Sequence, residues 1–572
     1  MFRFVLQREI RSIILAVCGT ALVPAQTLTS PDRTLVPPVR TFELGPRIGV
    51  LAEQALSLEQ ALSMALANNK DIEASRIDQQ EADFGVLAAL GTYDPVFTGN
   101  NLWEKQVAPV ASTLGGSSTG ALLTRIWQFD PGFSGFSPWF GASYRTDFSN
   151  QRVFTDNSFI TLNPQFPTSL NFQYTQPLWR GLRYDANRHA IEVAKKNRSL
   201  TDVQFKQRVM TIVEQTEQAY WELVYTYDNL QVQLQAVAIG REQDESNRRQ
   251  EAQGLLAPID VVAAQTQLAN FELGAYTART TLTRAENNLK TLILGDRDSP
   301  VWSTALVPST PAMTETPVLP LATAIEEALA NRPELAEVNI SAEINQKDTH
   351  YYRDQTKPQV DLTATYSRAG LAGPQVPLGP NPITAAFEPL IDRLNALSAA
   401  AGLAPINLGS LGGSSTPALL VGGYDQSLSN LWAGNFPTTE VQLRISLPIR
   451  NRTAEANVGR SLAEGRRIQN QKEQVQQGIE ADVRNAMQAI QSAQMGLTSA
   501  RVAMESAEQQ YESEQRQFRA GTSTLFLVQQ RQSTMIAARS QERRAEADLA
   551  EAIALFEFAT ASNLREHKIG LK

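Results

Sequence analysis

The 572-residue sequence has one cysteine, Cys18, and three histidines, His189, His350 and His567. A single cysteine excludes a disulfide framework, and histidines at no ligand spacing give no recognisable metal site. Aromatic residues are few, 7% against 42% hydrophobic overall, while Ala and Gln crowd the helical segments. That balance suits long helix-on-helix packing better than several globular cores. The 51 basic and 59 acidic residues are mixed along the chain to a net charge of -8, and no basic stripe follows a nucleic acid backbone. Enzyme chemistry is equally absent. The run from Gly115 to Gly120 lacks the lysine and strand-to-helix context of a phosphate loop, and helical carboxylates mostly face Gln or bases four residues away, as on a solvated surface. No catalytic set and no cofactor site emerge.

The N-terminus carries Arg3, Arg8 and Arg11, then an apolar run from Ile13 to Val23 and the triplet Val23-Pro24-Ala25. This reads as a secretory signal, residues 1–25, cut after Ala25. A rival reading is a lipoprotein cleaved before Cys18, against which Val17 is a poor fit to the small residue required. Beyond it, no uninterrupted apolar run reaches the roughly 20 residues of a membrane helix. An exported chain of this kind is either soluble or held in an outer membrane by β-strands.

What the sequence does have is a duplication. Ala65-Leu66-Ala67-Asn68-Asn69-Lys70-Asp71-Ile72 returns as Ala328-Leu329-Ala330-Asn331-Arg332-Pro333-Glu334-Leu335, an offset of 263 (328 minus 65) that also carries Pro95 onto Pro358. Glu217 through Gly254 returns as Arg484 through Gly521 with an offset of 267 and no gap. Each copy reads helix, strand, strand, very long helix, glycine turn, helix. Such a unit does not bury its apolar face alone.

The expected layout follows. Residues 26–56 form an extended arm and 57–91 a helix, running from the N-cap Ser57 to Leu90 and ended by Gly91. Residues 92–180 form a strand pair and 181–294 a long hairpin; a linker at 295–320 leads to the second copy at 321–356, 357–450 and 451–562, with a tail at 563–572. The strands show period two: Leu170, Phe172 and Tyr174 against Asn171, Gln173 and Thr175; Val360, Leu362 and Tyr366 against Asp361, Thr363 and Thr365; Val441, Leu443 and Ile445 against Gln442 and Arg444. A weaker strand starts at Pro95. The Gly-, Ser- and Pro-rich stretches at 104–168 and 369–435 read as exposed loops.

Long helices are expected from Asn187 to Glu251 and from Asn457 to Ala520, roughly 98 Å each at the helical rise. Val483, Ala486, Ile490, Ala493, Leu497, Ala500, Met504, Ala507 and Tyr511 keep a heptad seam in the second. Each long helix ends at a glycine, Gly254 or Gly521, before a short loop and a returning helix.

Four strands with one apolar and one polar face cannot close a barrel, whose smallest membrane form has about eight. The chain must oligomerise, and periodicity alone leaves eight strands in a dimer or twelve in a trimer.

These residues resemble the TolC-like outer membrane efflux proteins. The carriers are Leu58-Glu59-Gln60-Ala61-Leu62 with Ala67-Asn68-Asn69, the repeat Ala330 through Leu335, the junction Gln176-Pro177-Leu178-Trp179-Arg180-Gly181, and Gly254 through Val262 followed by Gln265. The resemblance implies an α+β membrane protein: a homotrimer with a twelve-stranded barrel in outer membrane lipid, four strands per chain, continued across the periplasm by an α-helical barrel. It implies docking to a periplasmic adaptor protein and, through it, to an inner membrane pump. The linker at 295–320 and the C-terminal end would form a belt around the helices.

On that resemblance Gly254, Leu255, Gly521, Thr522 and Ser523 are the adaptor-contact tips. The gate residues lie just beyond: Leu527 and Gln530, six and nine after Gly521, and Asp260, six after Gly254. The family often has acidic rings in the second copy, where this chain has Leu527 and Gln530, and a basic residue where it has Ser523. An apolar constriction at Leu527 is one reading of the gate; seam packing between hairpins is the other. The competing reading of the whole chain is a trimeric coiled-coil stalk or adhesin, which would need neither the duplication nor the glycine turns.

Overall fold

The computed structural model describes residues 42–111, 120–157, 159–311, 319–376, 382–406 and 416–570. The signal segment with Cys18 and the first part of the arm lie outside them. The chain then makes β1 (Ala52–Leu56), α1 (Leu58–Asn68) and α2 (Lys70–Leu90). Ser57 starts α1 with a reciprocal capping box: its hydroxyl accepts from the Gln60 N–H and the Gln60 side chain accepts from its own N–H.

The single helix expected from Ser57 to Leu90 is two, broken at Asn69. Asn69 sits in extended backbone and its side chain caps α2 by accepting from the Asp71 and Ile72 N–H groups. The second copy breaks at the residue 263 further on, Arg332, with nearly the same dihedrals, between α5 (Leu321–Asn331) and α6 (Pro333–Gln355). The alanine-rich periodicity runs straight through both breaks and hides them.

After α2 come β2 (Val96–Pro109), β3 (Ala121–Phe136), β4 (Ser143–Thr155) and β5 (Phe166–Pro177), then α3 (Ala186–Ala252), α4 (Pro258–Ile293) and β6 (Thr304–Pro308). The second copy continues from α6 through β7 (Gln359–Ala372), α7 (Pro382–Ala400), α8 (Tyr424–Ala433), β8 (Phe436–Ser446), α9 (Arg452–Arg519), α10 (Leu525–Ala559) and the short α11 (Asn563–Glu566).

This corrects the expected strand count. One antiparallel sheet runs in the order β2-β3-β4-β5-β7-β8, six strands among the described residues rather than four. The segment at 104–168, expected as loop, supplies the rest of β2 and all of β3 and β4. The segment at 369–435, also expected as loop, holds α7 and α8. Helix α8 lies across β5 and β7, where the Ser427 hydroxyl donates to the Phe166 carbonyl and the Asn430 side chain to that of Leu371.

Alternation gives the sheet two unlike faces. Phe97, Trp103, Trp127, Phe133, Phe172 and Leu443 stand on one face and are exposed in the single chain. Residues of the other parity, such as Asn100, Gln128, Asp147, Gln173, Thr363 and Gln442, are polar.

Two compact units divide the rest. The larger holds the sheet, the short helices, and α3 up to Asp228 with the matching parts of the other long helices. In it the expected seam is buried: Val483, Ala486, Ile490 and Leu497 of α9 pack with Leu549, Ile553 and Phe556 of α10 and with Ala324 and Ala328 of α5. The linker at 295–320 carries β6, which pairs in parallel with β1 of the arm. Tyr220 of α3 is fully buried and joins the two ends: its hydroxyl donates to the Leu56 carbonyl at 3.0 Å and accepts from the Thr310 N–H at 3.1 Å.

The smaller unit comprises residues 229–280 and 504–540 with the described end of the arm. Val237, Phe271, Tyr511, Val528 and Met535 form its core, and Phe42 and Leu44 of the arm pack against it. Gly240 lets α3 approach α4 here, since a Cβ at that position would lie 2.9 Å from the Phe271 ring.

Candidate functional site: the hairpin tips

Both turns are built by one device. At the end of α3, Gly254 takes φ +74°, its N–H bonds the Glu251 carbonyl at 2.8 Å, and the Leu255 N–H reaches back to Gln250 at 2.9 Å. At the end of α9, Gly521 takes φ +77°, its N–H bonds Phe518 at 3.0 Å, and the Thr522 N–H bonds Gln517 at 2.9 Å. Each is a Schellman pair, which satisfies carbonyls the helix end would leave orphaned. Only glycine takes this left-handed position without strain.

Pro258 then opens α4, where its missing N–H costs nothing. At the other tip the Thr522 hydroxyl donates to the Gln517 carbonyl at 3.1 Å, and the Ser523 hydroxyl donates to Glu514. The tip residues differ in chemistry but share a backbone.

Side chains sort by depth. Val261 and Val528, equivalent in the two copies, are buried and hold each tip to its hairpin. Leu527 is 38% exposed and Gln530, three residues on and on the same face of α10, is exposed, while Asp260 is half-buried on α4. Within one chain, Leu525 and Val528 do the packing and Leu527 does not. Of the three expected gate residues, Leu527 and Gln530 stand one turn apart on α10 and Asp260 near the start of α4.

Sequence reasoning passed over Ile259 and Phe526. They stand five residues after Gly254 and Gly521, at the 267 offset, and are 69% and 71% exposed; Leu255 beside them is 72% exposed. An apolar side chain at the same exposed position of both copies is a signal the repeat register could have given.

The histidines also read differently in space. His189 stacks on Tyr351 and His350 on Tyr184, with ring centroids 4.5 and 4.7 Å apart, and His189 Nε2 lies 2.7 Å from Asp348. His567 meets Glu217 of α3 and Glu557 of α10, each offering one ligand atom within 4.8 Å of the others. Burial and then the nearby Glu217 push the Glu557 carboxyl up to about 7. Burial works against charge on His567, but Glu217 outweighs it and raises that pKa too. Spacing in the sequence gave no metal site, yet the fold assembles a set of side chains able to share a divalent cation or a proton.

The family model for outer membrane efflux proteins matches residues 156–295 and 409–560, just over half of the chain. No curated protein matches it. Among solved structures, the CmeC outer membrane channel of Campylobacter jejuni aligns over 94% of this chain and 99% of its own, with TM-score 0.59 and 14% identity. The open-state MtrE outer membrane channel of Neisseria gonorrhoeae aligns over 92% and 98% with TM-score 0.56 and 12% identity. VceC, an outer membrane protein of Vibrio cholerae, aligns over 88% and 95% with TM-score 0.55 and 14% identity. At such identities the structures speak for the fold alone, and the match to the family model carries the assignment. A chain that repeats its strands and helical hairpins in this way, and fits that model over both copies, belongs to the outer membrane efflux protein family and is an efflux channel of the outer membrane with a periplasmic extension.

Proposed function

We propose that three copies form a passive tunnel that carries substrates from an inner membrane pump and a periplasmic adaptor across the outer membrane, in a tripartite efflux or type I secretion system. The observation that carries this is the sheet: apolar and exposed on one face, polar on the other, with both edges unpaired among the described residues. Strand edges and apolar faces of that kind are stable in lipid only when closed around a wet lumen. In this reading the duct is passive and the pump selects the cargo.

The adaptor binds the hairpin tips, with Leu255, Ile259 and Phe526 as its apolar anchors beside Gly254, Gly521, Thr522 and Ser523. Leu527 closes the resting pore as a threefold apolar ring, with Gln530 and Asp260 nearby; such a ring blocks ions by resisting wetting.

Planar bilayer recording of the purified trimer tests the reading. Small, rare openings are expected, and Leu527→Ser should raise the open probability at least tenfold. A trimer that never conducts, with or without the substitution, is a stalk or adhesin and not a tunnel. A variant as closed as the parent refutes the gate alone.

A further inference from the structure

We propose that the membrane part of the assembled channel is an eighteen-stranded barrel, six strands from each of three chains, rather than the twelve-stranded barrel the family resemblance implies. The proposal rests on the trimeric reading above and goes beyond it in barrel size.

The two additional strands run the full height of the sheet. Phe136 of β3 pairs with Ser143 of β4, which pairs with Thr175 of β5, so the β3–β4 turn sits level with the end of β5 that leads to α3. The Gln176 side chain donates to the Phe140 carbonyl in that turn at 2.8 Å. A Cβ on Gly141, at φ +65°, would lie 2.5 Å from the Gly181 carbonyl, so the turn is fitted against the junction itself. A short turn at the periplasmic end, with the longer connections at the other, is the pattern of outer membrane barrels. At 16 and 13 residues β3 and β4 exceed the roughly 9–11 residues a membrane strand needs.

Their faces match their neighbours. Trp127 of β3 pairs with Trp103 of β2, Phe133 with Phe97, and Phe148 of β4 with Leu170 of β5, so each of the four strands puts aromatic or aliphatic residues on this face, with Thr146, Asn150 and Arg152 of β4 among them. Gln128, Asp130 and Ser134 of β3, with Asp147 and Gln151 of β4, fall on the polar side. A flap lying outside the membrane would meet water on both faces and would have no use for this alternation.

Parity completes the argument. Every neighbour in the sheet is antiparallel, so with six strands β2 and β8 run in opposite senses. The β8 edge of one copy therefore meets the β2 edge of the next as another antiparallel pair. Six strands are too few to close alone. Three copies give a circumference half again that of twelve strands, in the size range of barrels that hold an open aqueous channel.

The test is site-directed spin labelling of the full chain in liposomes, with cysteines at Trp127, Gln128, Phe133 and Ser134, and with Leu443 of β8 as reference. Labels at 127 and 133 should be reached by oxygen from the lipid, and labels at 128 and 134 by a water-soluble nickel reagent. A trimer whose label at 443 is in lipid while those at 127 and 133 are in water overturns the eighteen-strand barrel and leaves the tunnel standing. A label at 443 in water, or a monomer by mass photometry, overturns the trimeric membrane reading and this inference with it. Counting strands by electron cryomicroscopy of the trimer gives a second decision, eighteen in support and twelve against.

Discussion

Lys290 and Glu286 on α4 make the anchoring of the β1–β6 pair testable. Both side chains are 1% exposed, and Lys290 Nζ lies 2.7 Å from Glu286. Glu286 also accepts from Arg47 of the arm at 2.5 Å, and Lys290 donates to the Trp302 and Thr304 carbonyls at 3.2 and 2.6 Å. The ammonium thus ties α4 to the start of β6. Lys290→Met removes it and leaves a buried carboxylate with one partner and two carbonyls without their donor. Breaking a buried pair from one side costs about 3–5 kcal/mol. Glu286→Gln should cost less, about 1.5–3 kcal/mol, because Lys290 keeps its carbonyls and Arg47, partly exposed, recovers water. Replacing both by apolar residues, Glu286→Leu with Lys290→Met, removes both buried charges and should be milder than Lys290→Met alone. Hydrogen exchange at the amides of β1 and β6 reads the local opening. A loss of about 3 kcal/mol corresponds to roughly a hundredfold faster exchange if those strands open when the α4 anchor is lost. The reasoning is wrong if Lys290→Met changes exchange less than about threefold, or if the double replacement costs the sum of the two single ones.

Gly254→Ala and Gly521→Ala should each cost about 1–2 kcal/mol and speed exchange at the Leu255 and Thr522 amides; a Cβ meets nothing within 4 Å at either site, so the backbone alone is strained and the two costs should agree within about 0.5 kcal/mol. Tyr220→Phe leaves the Leu56 carbonyl and the Thr310 N–H without their shared partner and should cost about 1–3 kcal/mol, read as lost protection of β1 and β6. The His567 cluster predicts a pH dependence. Glu217 and Glu214 face it from α3, Glu557 from α10 and Glu566 from its own segment. Glu557 and His567 both have folded-state pKa values raised above the unfolded ones; the contribution of Glu557 is complete below 4.5 and is lost as pH rises to about 7, and that of His567 is complete below 6.5 and is lost as pH rises further. The rise of Glu557 from 4.5 to about 7 sets a ceiling of roughly 3 kcal/mol. The tail at 560–570 should be better protected from exchange at pH 6 than at pH 8, and Glu557→Gln should flatten that difference; equal protection at both values, or a variant as steep as the parent, would refute the assignment.

The elements legible in the sequence were those with a local cause. Ser57 and Gln60 announce their capping box three residues apart, and Gly254 and Gly521 mark the same turn twice. Period two in β5, β7 and β8 was clear because polar and apolar residues alternate there without interruption. In β3 the outward row contains Arg125 and Pro131 and the inward row contains Ile126, so the alternation is broken and the aromatic residues read as loop. Outward Trp and Phe are sensible only once lipid is the solvent, which composition does not reveal. The break at Asn69 was hidden because its cap replaces the helix bonds without disturbing the apolar period. Glu217, Glu557 and His567 meet from three separate segments, and no spacing rule reaches that far.

The duplication is strict where one chain must pack on itself and loose where copies differ in surroundings. Asn69 and Arg332 occupy the same break and do the same work with different chemistry. Asn69 donates to the Leu292 carbonyl at the end of α4 at 3.0 Å; Arg332 donates to that of Phe558 at the end of α10 at 3.5 Å and also holds Asp482 at 3.2 Å. Each short helix is thereby pinned to the return helix of its own hairpin. The strands obey a weaker rule, since a sheet accepts an additional hairpin wherever direction parity is kept. With strands about 4.8 Å apart and tilted about 40°, eighteen of them span roughly 113 Å of circumference. The four hairpin helices of each chain would make twelve in the proposed trimer, and at 8–10 Å apart these would span about 96–120 Å. In the proposed trimer a hairpin inserted in one copy alone would therefore enlarge the ring of strands to the size of the ring of helices, and the lumen would not need to narrow where one becomes the other.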